Sequence, residues 1–335
     1  MMDSGDDVPL RVSDVPMPPG RQSSFGTTGD FVAPSGSRID PLHPAGYYID
    51  LRAKADSPHH PPVWWPRMAS EPRVVVAQWA LGCWEHYLAG DGDRWLEAAR
   101  WAADRLLEQQ HRDGPSAGGW THEYSYRHTY RIAPPWMSGM AQGQCASLLV
   151  RIHDATGDER YAEAALAALG PMRKRVSEGG VAGEIEGGWV PEEYPTQPSS
   201  HVLNGAIFGV WGAYDVAAAL GDRDADALAR EGIATLAASL RLFDTGFWSR
   251  YDLYPHPVAN VASPMYHRLH INQLRAMTSI STDARFAATA DRFEGYAGSR
   301  TGLARAYAHK IVFRTLVPRN RWLAHRLPWS PKEAE

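Results

Sequence analysis

From about residue 73 onward, apolar side chains recur at helical spacing. Ala80, Cys83, Trp84, Tyr87 and Leu88 follow the i, i+3, i+4, i+7, i+8 rule that places them on one face of a helix. The turn Gly90-Asp91-Gly92-Asp93 ends that helix, and Leu96, Ala99, Ala103 and Leu106 stripe a second one beginning near Arg94. The same unit recurs three times. Ala141, Cys145, Leu148, Leu149 and Ile152 precede the turn at Gly157-Asp158, and Ala162, Ala165, Leu166 and Leu169 follow it. Leu203, Ile207, Val210, Trp211 and Tyr214 run to Gly221-Asp222 and return through Ala229, Ile233, Leu236 and Leu240. A last pair starts at Ile271, turns at Thr282-Asp283 and continues through Phe286, Ala290, Phe293 and Ala297.

Such self-similarity predicts stacked helical hairpins. Longer irregular inserts separate them at 111–136, 178–200 and 243–268, with β-like runs such as Ala182-Gly183-Glu184-Ile185. The predicted fold is mainly α: an incomplete (α/α) barrel or toroid of helical hairpins, with β-hairpin inserts lining a cleft. Residues 1–45 are rich in Gly, Pro, Ser and Asp and are read as a disordered or extended segment. Tyr47-Tyr48-Ile49-Asp50-Leu51 reads as a strand or as a tail docked on the body. Pro61 to Pro72 reads as proline-broken loop holding Trp64 and Trp65. The toroid is expected to span 46–320, with 321–335 as a tail.

Composition narrows the function. The net charge of -4 argues against nucleic acid held by broad electrostatics. Cys83 and Cys145 both fall inside apolar helical patterns and read as small core residues. No run of eighteen apolar residues predicts a membrane span. The acidic start lacks the order of a secretory signal, which makes the cytoplasm the expected compartment. Thirteen tryptophans and fourteen tyrosines suit either sugar rings or an aromatic core.

The inserts hold the candidate chemistry. The first carries Trp120, His122, Glu123, Tyr124, Tyr126, Arg127, His128, Tyr130 and Arg131; the second Trp189, Glu192, Glu193 and Tyr194, followed by Asn204. The third carries Asp244, Arg250, Tyr251, Asp252, Tyr254, Tyr266, His267 and Arg268, followed by His270 and Asn272. Aromatics for stacking, Arg and His for carboxylate, and Tyr and Glu for proton transfer fit an anionic carbohydrate. Each has a plainer reading as well. Asn204 and Asn272 can cap helices, and His267 and His270 have metal-pair spacing without a third ligand, so no metal site is expected. Glu192 and Glu193 are adjacent, so only one is expected to face a substrate. Trp136, Trp211 and Trp248 read as core or rim packing.

Five blocks give a specific resemblance. The run from Glu192-Glu193-Tyr194-Pro195 to Val202-Leu203-Asn204-Gly205 resembles the signature of glucuronyl C5-epimerases. So do Met140-Ala141-Gln142-Gly143-Gln144, Phe243-Asp244-Thr245-Gly246, Tyr251-Asp252-Leu253 and the block from Tyr266 to Leu274, in the family's order. The likeness covers about residues 118–298. It implies inversion of glucuronate at C5 to iduronate within a heparosan-like polysaccharide, by proton abstraction and return, with no redox cofactor. Carried over by motif, the catalytic positions are Glu193, Tyr194, Tyr251 and Tyr266. Around them, Arg268, His267, His270, Asn204, Asn272, Gln142, Arg131 and Trp120 are expected to bind substrate.

Two departures stand out. The family pattern has an arginine directly after Tyr-Asp-Leu where this chain has Tyr254, and Arg268 is expected to replace that charge. Animal members also carry a β-rich region before the helices, so no calcium site located there transfers; a homodimer is an expectation only. A polysaccharide lyase would abstract the same proton and then expel the C4 substituent. A glycoside hydrolase would need a second carboxylate opposite Glu193, and a non-catalytic polysaccharide-binding protein would need neither.

Overall fold

The structure, a computed structural model, describes residues 46–56, 73–127 and 129–318. The expectations for 1–45, 61–72 and 321–335 lie outside these residues. The chain is mainly helical: α1 (Arg52–Ala55), α2 (Arg73–Leu88), α3 (Arg94–Gln109), α4 (Gly139–Thr156), α5 (Glu159–Ala168), α6 (Leu203–Leu220), α7 (Arg223–Ser239), α8 (Pro264–Ile280), α9 (Ala284–Ala297) and α10 (Arg300–Leu316). The recurrent turns form as their residues require. Gly157 and Gly221 end α4 and α6 at φ 67° and 64°, where a side chain would be strained. Asp158, Asp222 and Asp283 then accept backbone N–H bonds at the starts of α5, α7 and α9.

Each of α2, α4, α6 and α8 packs against the helix that follows it, and α2–α4, α4–α6 and α6–α8 pack in succession. The first four are the more buried partners. The apolar run in α6 is long enough to cross a membrane, but 72% of it lies inside the protein. Its contact with α4 is close because glycines meet there. A Cβ on Gly143 would stand 2.5 Å from the Gly209 Cα and 2.6 Å from the Phe208 carbonyl oxygen. Backbone cannot yield as a side-chain tip can. Gly143→Ala is therefore expected to cost on the order of 1–3 kcal/mol or more in urea unfolding, and an unchanged midpoint would disprove this close approach.

The segment Tyr47 to Leu51 docks as a tail and forms no strand. Tyr48 stacks on Trp211 at 4.2 Å, and Tyr47, Ile49 and Leu51 are fully buried. Arg151 and Asp215, both buried, bridge α4 and α6 at 2.6 Å and grip this tail. Arg151 donates to the Gly46 carbonyl at 2.8 Å, and Tyr48 donates its hydroxyl to Asp215 at 2.8 Å. These two charges sit twelve residues into their helices, about 18 Å from the N-terminal turns.

The inserts lie at those N-terminal turns. In the first, β1 (Thr121–His122) pairs antiparallel with β4 (Trp136–Met137), and β2 (Tyr126–Arg127) nests within as partner to β3 (Arg131–Ile132). In the second, β5 (Ala182–Ile185) pairs with β6 (Gly188–Pro191). The third is shorter than expected. Ser263 caps α8 by accepting from the Tyr266 N–H, with Pro264 at the first helical position. Tyr266, His267, Arg268, His270 and Asn272 therefore share one helix.

Candidate active site

Two backbone bonds draw the inserts onto the helix starts. The Gly139 N–H at the start of α4 donates to the Glu192 carbonyl at 2.7 Å, and the Leu203 N–H at the start of α6 donates to the Tyr251 carbonyl at 3.1 Å. The adjacent glutamates then part ways. Glu192 is fully buried and accepts from Ser200 Oγ at 2.8 Å and from the backbone N–H groups of Ser200 and His201 at 3.2 and 2.9 Å. Its other oxygen meets His201 Nδ1 at 2.6 Å. His201 adopts φ 44°, a conformation costly for a side-chain-bearing residue, and Glu192 holds it there. Glu192 shapes the loop.

Glu193 points the other way. Asn204, in the first turn of α6, donates its side-chain amide to Glu193 Oε2 at 3.3 Å, and the Tyr194 hydroxyl lies near enough to favour the Glu193 anion. Asn204 is itself fixed by Gln273, which donates to its backbone carbonyl at 3.0 Å. Gly205 is small by necessity, since a Cβ would meet Glu193 Oε2 at 2.4 Å. Around this carboxyl stands a set of phenols. The Tyr194 ring lies 4.5 Å from Tyr126, 5.1 Å from Tyr130 and 6.1 Å from Trp136. Tyr251 and Tyr266 meet edge to face at 4.9 Å. All four catalytic candidates thus come from three separated segments into one cluster.

Burial sets the electrostatics. It pushes the Glu193 carboxyl up to about 7, against the Tyr194 hydroxyl and the Asn204 hydrogen bond, which favour the anion. Burial, reinforced by the Glu193 charge, holds Tyr194 and Tyr251 well above the ordinary phenol range, and Tyr126 is pushed up to about 12. The phenols are hydrogen-bond donors in this state, and Glu193 is the group whose proton moves near neutrality. The raised value has a stability consequence. Below pH 4.5 folded and unfolded chains both hold this proton. Between 4.5 and about 7 the unfolded chain loses it while the folded chain keeps it, so stability falls across that window and then levels off. Glu193→Gln is expected to unfold roughly 2 kcal/mol later than wild type at pH 8, with little difference at pH 4.5. An equal difference at both pH values in thermal unfolding would contradict this environment.

The floor beside the phenols is polar and closed. Buried Asp252 accepts from the Tyr130 hydroxyl and from the Asn260 side-chain amide. Lys310 of α10 donates to Asn260 Oδ1 at 2.8 Å and to the Val261 carbonyl at 2.7 Å. Tyr254 packs on Tyr130 at 5.5 Å and on His256 at 4.8 Å. Tyr126 and Tyr130 belong to the site by position. Their place in the aromatic first insert was the available signal; Asn260, His256 and α10 gave none.

Several expected substrate contacts are engaged elsewhere. Arg268 is exposed on α8, two residues and ~200° around the helix from Tyr266, so it faces away from the cluster. Asn272 lies mid-helix on that same outer side and caps nothing. His267 stacks on Trp248 at 3.8 Å, and its two nitrogens meet Ser249 Oγ at 2.7 Å and the Phe293 carbonyl at 2.9 Å. His270, fully buried, meets the same Ser249 hydroxyl at 2.9 Å. Burial lowers both imidazoles, His267 to about 4, so neither brings positive charge near neutrality. Trp120 is wholly buried with Nε1 donating to the Leu106 carbonyl at 2.9 Å, and Gln142 is bonded to the Trp120 backbone. These are core residues. Arg131 is half-buried on β3. Trp136, Trp211 and Trp248 are buried, in keeping with packing. Among the described residues no group of three His, Cys, Asp or Glu could hold a metal. A cavity of about 560 Å³ between the β5–β6 hairpin and α7, lined by Arg175, Glu184, Trp189 and Glu231, lies apart from the phenols.

Residues 112–295 match the family described as D-glucuronyl C5-epimerase C-terminus. The chain belongs to this family. It is 36% identical over 214 residues to a D-glucuronyl C5-epimerase of Caenorhabditis elegans, covering 58% of this chain and 34% of the relative. It is 26% identical over 196 residues to an uncharacterized protein of Methanocaldococcus jannaschii, covering 55% of this chain and 62% of that one. The chain thus spans about a third of the worm epimerase. The C5-epimerase segment contains Glu193, Tyr194, Tyr251 and Tyr266, whereas α10 lies beyond its end.

Proposed function

We propose that this chain epimerises D-glucuronate to L-iduronate at C5 within an anionic, heparosan-like polysaccharide. The observation that carries this reading is the gathering of one carboxyl titrating near neutrality and several neutral phenols at the starts of α4, α6 and α8. The C5–H bond lies beside a carboxylate, and its loss moves charge onto those oxygens. Donors aimed at that developing charge lower the barrier, and neutral phenols are such donors. Glu193 and Tyr194 would form the proton relay over one face of the ring. Tyr251 and Tyr266 would form the relay over the other. Glu193 takes up the abstracted proton in its ionised form, so exchange from glucuronate rises with pH through about 7. The family resemblance and the succession of packed hairpins support an incomplete toroid with this cleft at one mouth.

Incubating glucuronate polymers with the protein in D₂O, followed by NMR, tests the reaction. Deuterium at C5 in chains of unchanged length is the expected result. An ultraviolet-absorbing unsaturated product would mean elimination instead, and unlabelled polymer across heparosan and other glucuronans would end the reading.

A further inference from the structure

The proposed reaction needs a positive charge at the uronate carboxylate, and the rings around Glu193 carry none. Two cations lie beside them. Arg250 donates through Nε to the Asp252 carbonyl at 3.2 Å, and Lys310 is held by Asn260 and Val261. Arg268, on the outer side of α8, does not meet the need.

A third cation lies on the same side as Tyr254, the residue that stands where the resemblance expects an arginine. Tyr254 packs on His256, and His256 meets Phe313 of α10 edge to face at 5.0 Å. Arg314 follows Phe313 and lies half-buried, with its guanidinium 5.1 Å from that ring. One of its nitrogens reaches Thr129 Oγ1 at 3.4 Å, between the cluster residues Tyr126 and Tyr130. Burial raises Tyr126, and the Arg314 charge is among the groups pulling it back. Lys310, one helical turn earlier, pins α10 to the floor under Asp252.

We infer that Arg314, from a helix outside the family segment, binds and neutralises the substrate carboxylate in place of the arginine that Tyr254 replaces. This rests on the uronate reading above. A guanidinium presents two parallel N–H groups to a carboxylate, a geometry that lysine lacks.

The test compares wild type, Arg314→Ala and Arg314→Lys, each checked for native thermal unfolding. A glucuronan oligosaccharide and its carboxyl-reduced counterpart serve as probes, read by titration calorimetry and by C5 exchange in D₂O. Wild type should prefer the carboxylated probe, and Arg314→Ala should lose that preference together with ~10²–10³-fold of exchange, as when one donor to a developing anion is removed. Arg314→Lys should keep part of the binding and less of the exchange. Retained preference in a folded Arg314→Ala variant overturns the assignment, whatever its exchange rate. If wild type shows no exchange while the preference is present and lost in Arg314→Ala, the epimerase reading falls and the carboxylate site stands. Absence of both in wild type removes both.

Discussion

Tyr194→Phe is expected to lower C5 proton exchange by roughly 10²–10⁴-fold while the protein stays folded. Only the hydroxyl is removed, and it lies near enough to Glu193 to favour its anion while its ring packs among Tyr126, Tyr130 and Trp136. Because the two groups share a proton path, adding Glu193→Gln should cost much less than the two single losses combined. Tyr251→Phe should differ in kind. With one relay over each ring face, its exchange should fall most from the epimer that Tyr194→Phe affects least. NMR rates measured from glucuronate and from iduronate decide this. Equal losses from both epimers in both variants would remove the two-face arrangement.

Arg151→Met is expected to destabilise the chain by about 3–5 kcal/mol. Arg151 and Asp215 are almost wholly buried, and removing one leaves the other charged without compensation. The loss also takes a donor from the Gly46 carbonyl and slackens the docked tail. Replacing both, as Arg151→Met with Asp215→Leu, should recover much of this, since no buried charge then remains. Urea unfolding monitored by tryptophan fluorescence measures it, because Trp211 stacks on Tyr48 in the same cluster. A double variant no more stable than the single one would show that the pair is worth more than the cost of desolvating it.

The helical hairpins are legible because each turn ends an apolar stripe, and at three of the four an aspartate, Asp158, Asp222 or Asp283, also caps the returning helix, whereas Asp93 makes no such bond. α8 starts several residues before the helix that the apolar spacing predicts, at Ser263-Pro264, a recognisable cap and first turn. That one boundary decided the fate of Arg268. In an extended insert it would sit near Tyr266, but in a helix two residues apart means opposite sides. Residue type also says nothing about burial. Trp120, His267 and His270 have the chemistry of a sugar site and the surroundings of a core. Glu193 and Tyr194 stood out through the length of their motif, and Tyr251 and Tyr266 through order along the chain. Contacts made by α10 arise from the far end of the sequence, and no local pattern announces them.

The helix starts gathered around Glu193 carry one more implication. The aligned peptide dipoles of a helix give each such end a partial positive charge, roughly half a proton's worth. Polymer arriving at the mouth between α4, α6 and α8 would therefore feel attraction generated by main chain, in a protein whose side chains sum to -4. Capture of a polyanion here need not depend on a basic surface, and added salt should weaken it gently rather than with the steep slope of a lysine-lined groove.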